Sequence, residues 1–311
     1  MKTNHNENLD IMLYMSFFGD AYSLGYHWVY DTKVIQNKFR QFDEFSTPGI
    51  VSYHKGKSKG DLTHYGDQGI FLLESIIREK GFNKEKFARF WAEKMTGYSG
   101  YKDHASKQTL ENMEKSKDYL KSGSDSEDLG GFSTIAPLIY YNLMVSSDEE
   151  NFIADIVDQT IITHPKDIVL SGARFIGHLV FSVYNGMNLK EATNRARKLE
   201  NSPFMQTIFN ALKETEGDDP VEAIVKLGQS CHIKGALSSI VYILERYGEN
   251  SREGLKINVL AGGDSAARGM VLGLIFGLYG GDSGFSRSLI NQMNCTGKIL
   301  QYTDFIKSLN K

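Results

Sequence analysis

Four glycines spaced four residues apart constrain the fold of this 311-residue chain more than any other feature. Gly269, Gly273, Gly277 and Gly281 recur within an apolar segment and lie along one face of a predicted helix. Each glycine in a helix interior costs about 0.5–1 kcal/mol relative to alanine, so the spacing requires a compensating interaction. Because glycine permits close backbone approach, the stripe predicts a neighbouring helix packed tightly against this face.

Two polar turns each bring an aspartate to the start of a predicted apolar helix. Asp264 follows the pair Gly262 and Gly263 at the position of an N-cap. Asp67 lies in the segment 61–77, which reads DLTHYGDQGIFLLESII. Taken alone, an aspartate at such a position is more often a cap than a catalytic group.

Together, the two turns resemble the signature turns of the ADP-ribosylglycohydrolase family. The resemblance implies that the turns meet in one cleft, where the family holds two magnesium ions on aspartates and threonines. Further segments match family motifs in the same order, so that the resemblance covers roughly residues 9 to 281. These segments are 18–25 (FGDAYSLG as far as Gly25), 100–110, 130–138 and 163–165.

The departures from the family pattern concern the metal ligands. Asp67 and Asp264 are retained, whereas other residues occupy the remaining ligand positions. The replacing residues are Tyr65, Gly66 and Gln68 in the early turn and Ala266 and Ala267 in the late turn. Magnesium requires several oxygen ligands in near-octahedral geometry. We therefore expect at most one magnesium ion, held by Asp67 and Asp264, and no intact two-metal centre.

The helical pattern predicts an all-α fold, a compact many-helix bundle forming a single domain over residues 1–311. A polar stretch at 121–128 is predicted to be a surface loop, and 47–53 is the one segment that could pair briefly as a strand. The predicted helices are 8–26, 67–80, 84–97, 103–121, 133–144, 149–162, 167–185, 189–198, 203–214, 219–228, 235–247, 251–260, 265–279 and 285–293.

Composition argues against several function classes. A net charge of −3 gives no general affinity for nucleic acid or for an acidic membrane surface. The basic stretch HKGKSK at 54–59 is predicted to be a solvated loop rather than a phosphate site. The start of the sequence lacks the pattern of a signal peptide, and the apolar run 269–280 is shorter than the ~20 residues of a membrane span. With two cysteines and no metal spacing, we expect a cytoplasmic protein.

The candidate catalytic residues follow from the turns and the resemblance. Asp67 and Asp264 are expected to polarise a water molecule, and Asp20, in the first family motif, is expected near the ligand cleft. His64 lies in the turn that carries the site and is a candidate general acid or base. A structural role for a single histidine is the alternative interpretation.

The candidate ligand-binding residues surround the same cleft. His164 matches a family position beside the phosphates and ribose of the ligand, although it could also be a turn histidine that caps a helix. Gly130 and Gly131 open a helix whose free amides could bind phosphate. Tyr65 is a candidate for stacking on adenine, as are Tyr22, Trp28 and Phe132, although aromatic residues of helical proteins usually belong to the core.

Arg268 lies four residues after Asp264, one helical turn further on the same face. It could form an ordinary ion pair with Asp264. Alternatively, its guanidinium could neutralise Asp67 and Asp264 in place of a metal ion, or bind a diphosphate through two parallel hydrogen bonds. The sequence leaves these alternatives open.

Two main functions are compatible with this sequence. The first is a hydrolase that releases ADP-ribose from an N- or O-glycosidic linkage to a protein or small acceptor. The second is a catalytically inactive module that binds ADP-ribose or a nucleotide, which the missing metal ligands would favour. A purely structural role is a third interpretation.

Overall fold

A computed structural model describes residues 5–38, 44–51, 53–281 and 285–309. Over these residues the chain is all-α, with no strand and one isolated backbone bridge between Asp128 and His232. The all-α prediction is therefore confirmed. The brief pairing proposed for 47–53 is not found at 47–51 or 53, and the stretch 121–128 is a loop as predicted.

The helices alternate with short loops. Their bounds are α1 (His5–Ser23), α2 (Thr32–Lys38), α3 (His64–Glu79), α4 (Lys84–Thr96), α5 (His104–Ser116), α6 (Gly130–Ser133), α7 (Ala136–Met144), α8 (Glu149–Ile161), α9 (Asp167–Tyr184), α10 (Leu189–Leu199), α11 (Pro203–Lys213), α12 (Pro220–Leu227), α13 (Ile233–Tyr247), α14 (Ser251–Leu260), α15 (Ser265–Gly280), α16 (Arg287–Ile290) and α17 (Thr296–Leu309).

Local capping chemistry explains why several helices begin where they were expected. The side chains of Asp148, Ser202 and Asp219 accept hydrogen bonds from the first backbone amides of α8, α11 and α12. The predicted helix 133–144 begins only at Ala136, as α7, and the short α6 precedes it. Two further helices, α2 and α17, were missed. For α2 the sequence offered a capping signal, because the Asp31 side chain accepts hydrogen bonds from the Lys33 and Val34 amides.

The glycine stripe of α15 packs directly on α1, as the spacing predicted. A Cβ on Gly269 would lie 2.5 Å from the carbonyl oxygen of Gly19, and one on Gly273 would lie 1.9 Å from that of Met15. Gly277 is similarly close to Met12, at 2.7 Å from its Cα. Gly281 differs, because it ends the helix with a φ of +71° and a Cβ there would make only an ordinary contact with α1, at 3.7 Å from Cδ1 of Ile11.

The glycine pair before α15 forms a left-handed turn with φ values of +68° at Gly262 and +62° at Gly263. Two backbone hydrogen bonds tie this turn to the segment after α1. The Gly263 amide donates to the Val29 carbonyl at 2.7 Å, and the Trp28 amide donates to the Gly263 carbonyl at 2.7 Å. The turn therefore holds the ends of α1 and α15 in register and fixes the position of Asp264.

Buried apolar side chains form one cluster that extends from Leu9 in α1 to Ile306 in α17. Among the described residues, α9 alone is long and apolar enough to cross a membrane. Because 67% of that helix is buried inside the protein, its composition is also that of a core helix and is weak evidence for a membrane span.

Candidate functional site

The starts of α3 and α15 lie side by side, and hydrogen bonds link them to α1 and to each other. Thr63 caps α3, and the Asp20 carboxylate of α1 accepts both the Thr63 amide at 2.6 Å and the Thr63 hydroxyl at 2.5 Å. Asp264 caps α15 and accepts a hydrogen bond from the Tyr65 hydroxyl at 3.0 Å. The two signature turns therefore meet, as the resemblance implied.

Asp264 is fully buried at this junction. Burial raises the pKa of its carboxyl to about 6, although Arg268 and His64 oppose the shift electrostatically. Its Oδ1 atom also lies 3.4 Å from Nδ1 of His27. A carboxyl whose pKa lies near neutrality can exchange a proton under physiological conditions.

Asp20 is a second fully buried carboxyl. Burial raises its pKa to about 6, against the lowering effect of its two hydrogen bonds from Thr63. A Cβ on Gly66 would lie 2.5 Å from Asp20 Oδ2, so only glycine fits beside this carboxylate. These contacts make Asp20 the connection between α1 and the start of α3.

Asp67 contacts a different set of side chains. Its Oδ2 atom accepts hydrogen bonds from Lys57 Nζ at 2.6 Å and from the Tyr98 hydroxyl at 2.5 Å. The prediction of a solvated loop at 54–59 is wrong for two of its residues, since Lys57 is partly buried in this ion pair and His54 is buried. Lys59, in contrast, is exposed as predicted.

His64, the first residue of α3, is buried beside a carboxylate that the sequence analysis did not select. Its Nε2 atom lies 3.3 Å from Oδ2 of Asp103, the residue that caps α5. Burial would raise the pKa of the Asp103 carboxyl, but His64 and the Ser106 hydrogen bonds hold it well below its usual range. Asp103 is therefore ionised and can orient the His64 ring.

Three buried histidines form a layer next to Asp264. His27, His54 and His64 are 0%, 5% and 1% exposed, and their ring centroids are separated by 5.3 to 6.1 Å. We call these residues the histidine layer.

An aromatic collar of Trp28, Tyr53 and Tyr101 lies between the histidine layer and solvent. The Trp28 ring is 4.9 Å from that of Tyr53 and 5.0 Å from that of Tyr101. Trp28 also stacks on His54, with 5.7 Å between the ring centroids and 17° between the planes. Its φ of +63° is unusual for a bulky residue, and such backbone conformations are concentrated at functional sites.

Arg268 does not pair with either aspartate. It is fully buried, and its three nitrogens donate to Asn258 Oδ1 at 2.9 Å, the Gln229 carbonyl at 3.0 Å and the Gly262 carbonyl at 2.6 Å. The predicted ion pair with Asp264 and the predicted neutralisation of Asp67 are therefore wrong. The reason is geometric, because the glycine turn presents a carbonyl to the guanidinium and takes up its hydrogen bonds.

The segment predicted to bind phosphate is packed against other side chains. A Cβ on Gly131 would lie 2.8 Å from the His164 side chain, and one on Gly130 would lie 2.8 Å from the Tyr65 ring. The Gly131 amide donates to the Asp128 carbonyl at 3.4 Å, and the helix that it opens, α6, has four residues. The expected free amides at a full helix start are not formed.

His164 is buried beside these glycines. Its Nδ1 atom lies 2.8 Å from the Thr163 hydroxyl, and Nε2 has no hydrogen-bond partner. Burial lowers its pKa, while Asp103 and Asp128 act in the opposite direction. The alternative role as a helix cap is not observed, since Lys166 occupies the N-cap position of α9.

Of the four candidate stacking residues, Trp28 alone is partly exposed. Tyr22, Tyr65 and Phe132 are 1%, 2% and 0% exposed and belong to the core. Tyr53 and Tyr101 contact Trp28 in the aromatic collar, although neither was selected from the sequence.

The donor set does not fit a pair of magnesium ions. Oδ2 of Asp67 accepts hydrogen bonds from Lys57 and Tyr98, and Asp264 accepts them from Tyr65 and the Ala267 amide. Beside Asp264, the buried atoms without partners are the imidazole nitrogens of His27 and the Ser265 hydroxyl, whereas two magnesium ions in octahedral geometry need many oxygen ligands. The two turns do not supply them.

Several residues of the site could not be selected from the sequence. His27, His54, Lys57, Tyr98 and Asp103 come from separate loops and helix ends, so that no spacing marks them as a group. Asp103 offered a signal, because it ends the family-like segment Gly100–Asp103. His27 offered a weaker one, since it closely follows the first family motif.

The comparisons with known proteins agree with this fold. The family model for ADP-ribosylglycohydrolase matches residues 3–310. The chain belongs to the ADP-ribosylglycohydrolase family. A chain from a solved ADP-ribosylglycohydrolase-related protein complex is similar over 100% of both chains, with a TM-score of 0.69 and 17% identity. At that identity the likeness shows the shared fold.

One curated relative is Crystallin J1A of Tripedalia cystophora, which is 22% identical over 314 residues and 95% of each chain. The low identity to this relative fits a divergent member of the ADP-ribosylglycohydrolase family. The family is one of glycohydrolases.

Proposed function

We propose that this protein hydrolyses an ADP-ribosyl N- or O-glycosidic linkage at the junction of the two signature turns. The proposal rests on the burial, the hydrogen bonding and the raised pKa of Asp264. The family turn is retained around a buried carboxyl that receives a hydrogen bond from Tyr65 and whose pKa is raised to about 6. A carboxyl held only as a helix cap would be expected at the surface, with its usual pKa.

The chemistry requires a base for water, an acid for the leaving group and a carboxylate near the ribose. His64, oriented by Asp103, accepts a proton from water as its oxygen bonds to the anomeric carbon. The bond from that carbon to the acceptor nitrogen or oxygen breaks, and protonated Asp264 supplies the proton to the leaving group. Carboxylates also stabilise the oxocarbenium-like charge on the ribose.

The ligand proposed for the site is ADP-ribose or an ADP-ribosylated acceptor. The aromatic collar of Trp28, Tyr53 and Tyr101 offers ring faces for adenine, and Tyr53 is 48% exposed. Since Asp264 is fully buried, substrate reaches it only when the collar moves aside. His164 remains a proposed contact for the phosphates, on the strength of its family position alone. The phosphate contact expected of the Gly130 and Gly131 amides is not proposed again, since the Gly131 amide donates to the Asp128 carbonyl.

We further propose that the protein binds at most one magnesium ion and that activity does not require two. The occupied carboxylates of Asp67 and Asp264 support this proposal. Direct metal analysis after dialysis tests it, and two equivalents of magnesium per chain would overturn it.

A second candidate function is binding of ADP-ribose or a nucleotide without catalysis. The ion pair between Lys57 and Asp67 favours it, because a retained family aspartate is then neutralised by the protein itself. The two candidates share a ligand and differ in turnover.

The test is to incubate the purified protein with proteins carrying N-linked and O-linked ADP-ribose, and to measure the ADP-ribose released. We expect release by the wild type without added magnesium, and its loss in Asp264→Asn. Asp148→Asn, at an exposed helix cap, is the control. ADP-ribose binding by calorimetry without release would favour the second candidate, and the absence of both would overturn the proposed function.

A further inference from the structure

The histidine layer brings together three imidazoles from three separate segments. His27 follows α1, His54 lies in the loop between α2 and α3, and His64 begins α3. One ligand atom from each ring lies within 4.8 Å of those of the other two. This convergence of three imidazoles requires an explanation, because burying their polar nitrogen atoms destabilises the folded protein.

Most of the ring nitrogens in this layer lack partners. Both nitrogens of His27, both of His64 and Nε2 of His54 are buried without a hydrogen bond. Each buried polar group without a partner typically costs about 1–3 kcal/mol, and native proteins contain few of them. The carboxylates of Asp264 and Asp103 lie near two of the five atoms, which leaves one nitrogen in each ring without a partner and indicates that a further group satisfies these three.

We propose that His27, His54 and His64 bind a divalent transition-metal ion of the zinc class. Imidazole nitrogens are the preferred ligands of zinc, copper, nickel and iron, whereas magnesium and calcium take oxygen. Three protein ligands leave one position of a tetrahedral ion for water or another ligand, as in catalytic zinc sites. This inference does not depend on the proposed hydrolase activity, in which His64 accepts a proton from water: with the ion bound, both nitrogens of His64 are occupied, so that role belongs to the metal-free protein.

The surroundings of the layer match those of metal-binding histidines. Such histidines usually hold a carboxylate against the ring nitrogen that does not bind the metal. Asp264 lies 3.4 Å from Nδ1 of His27, and Asp103 lies 3.3 Å from Nε2 of His64. If Asp264 accepts a hydrogen bond from Nδ1 of His27 and Asp103 accepts one from Nε2 of His64, the second nitrogen of each ring is available to bind the ion.

The charge and the protonation state of the histidine layer are also suitable for binding a divalent cation. Burial holds the pKa of His27 well below its usual value and lowers that of His54 to about 3, so both rings are neutral. Neutral imidazole is the form that binds metals. Lys57, the cation that acts on His54, is already paired with Asp67, and the adjacent carboxylates of Asp264 and Asp103 favour a positive ion.

The experiment uses cobalt(II) as a spectroscopic probe and zinc(II) as a competitor. Full-length protein is freed of metal by chelation, exchanged into chelator-free buffer and titrated with cobalt(II), followed by visible absorption and by calorimetry. We expect one equivalent to bind, with the intense visible bands of tetrahedral coordination, and zinc(II) to displace it. Magnesium should not compete.

Two single variants locate the site. Mutating a carboxylate that holds a metal ligand in place typically lowers metal affinity by about 10–100-fold. Because His54→Gln removes a ligand itself, it should weaken cobalt(II) binding by more than this. His104→Gln, at an exposed histidine outside the layer, should bind like the wild type. Circular dichroism verifies that each variant is folded.

If His54→Gln does not fold, metal analysis of wild-type protein purified without chelator still decides the question, with one equivalent of transition metal expected. The proposal is overturned when the wild type binds no cobalt(II). It is equally overturned when folded His54→Gln binds as tightly as the wild type, which would make the layer a stacked aromatic cluster.

Discussion

Lys57 Nζ lies 2.6 Å from Oδ2 of Asp67, so a lysine from the loop before α3 neutralises the aspartate retained in the early signature turn. The sequence suggested that a cation replaces the missing metal there, but it suggested Arg268. Both partners are largely shielded from solvent, at 23% and 21% side-chain exposure. The charge compensation therefore exists, with a different residue as its source.

Replacing this lysine separates its structural role from its effect on metal binding. We expect Lys57→Met to lower the free energy of unfolding by at most about 1 kcal/mol, the usual range for ion pairs near the surface. Because the Asp67 carboxylate then lacks its cationic partner and retains only the Tyr98 hydroxyl, magnesium affinity measured by calorimetry should rise. Lys59→Met, which removes an exposed pair with Glu44, should change neither quantity. Unchanged magnesium affinity in Lys57→Met would show that Lys57 does not block the carboxylate.

Arg268 is expected to stabilise the fold through the three hydrogen bonds of its guanidinium and not through its charge alone. Arg268→Ala leaves the Gly262 carbonyl and Asn258 Oδ1 without a donor, at about 1–3 kcal/mol each, whereas the Gln229 carbonyl keeps the Asp264 amide. Arg268→Lys retains the charge but cannot span three acceptors, so it should lose most of the same stability. Chemical denaturation of both variants at pH 7 measures this. Full rescue by lysine would instead favour the compensation of Asp264.

The sequence predicted those features of the fold and site that depend on local chemistry. Asp264 was identified because a glycine pair and a helix start surround it, and the contact between α15 and α1 was identified because the glycines recur every four residues. The partners of Arg268 were not predictable, since they depend on where Gln229 and the glycine turn meet in space. For the same reason, His27, His54 and Asp103 could not be recognised as neighbours of His64.

The contribution of Asp264 to the stability of the protein should fall as pH rises through the titration of its carboxyl. Its folded-state pKa of about 6 exceeds the value of about 3.9 in an unfolded chain. The folded state therefore binds the proton more tightly, and this contribution, fully present below about pH 4, is lost as pH rises through about 6. Two pKa units correspond to about 3 kcal/mol.

Asp264→Asn removes this proton linkage. We expect the change in unfolding free energy from pH 4 to pH 7 to be more favourable to the folded state in the variant than in the wild type by about 1–3 kcal/mol, as measured by urea denaturation at both values. Asp148→Asn should leave that change as it is in the wild type, because asparagine also caps helices. An identical pH dependence of wild type and Asp264→Asn would contradict the raised pKa.

Gly273 should be intolerant of even a single methyl group. The Cβ of Gly273→Ala would lie 1.9 Å from the Met15 carbonyl oxygen, and backbone cannot move aside as a flexible side chain can. We expect a loss of at least about 1–3 kcal/mol, the usual cost of overpacking. Gly297→Ala, in α17 with open space around the added atom, should instead stabilise the protein by about 0.4–1 kcal/mol. Thermal melting of both variants distinguishes close packing from helix propensity.

The aromatic collar should contribute directly to ligand affinity if it binds adenine. Stacking on an aromatic ring is worth about 1–3 kcal/mol per base, so Tyr53→Ala should weaken ADP-ribose binding roughly 5- to 150-fold. Tyr53 is 48% exposed, and its removal therefore leaves the core intact. Tyr53→Phe retains the ring face and should bind ADP-ribose like the wild type in calorimetry. If Tyr53→Ala and Tyr53→Phe bind equally well, the adenine lies elsewhere and the collar serves only to cover the histidine layer.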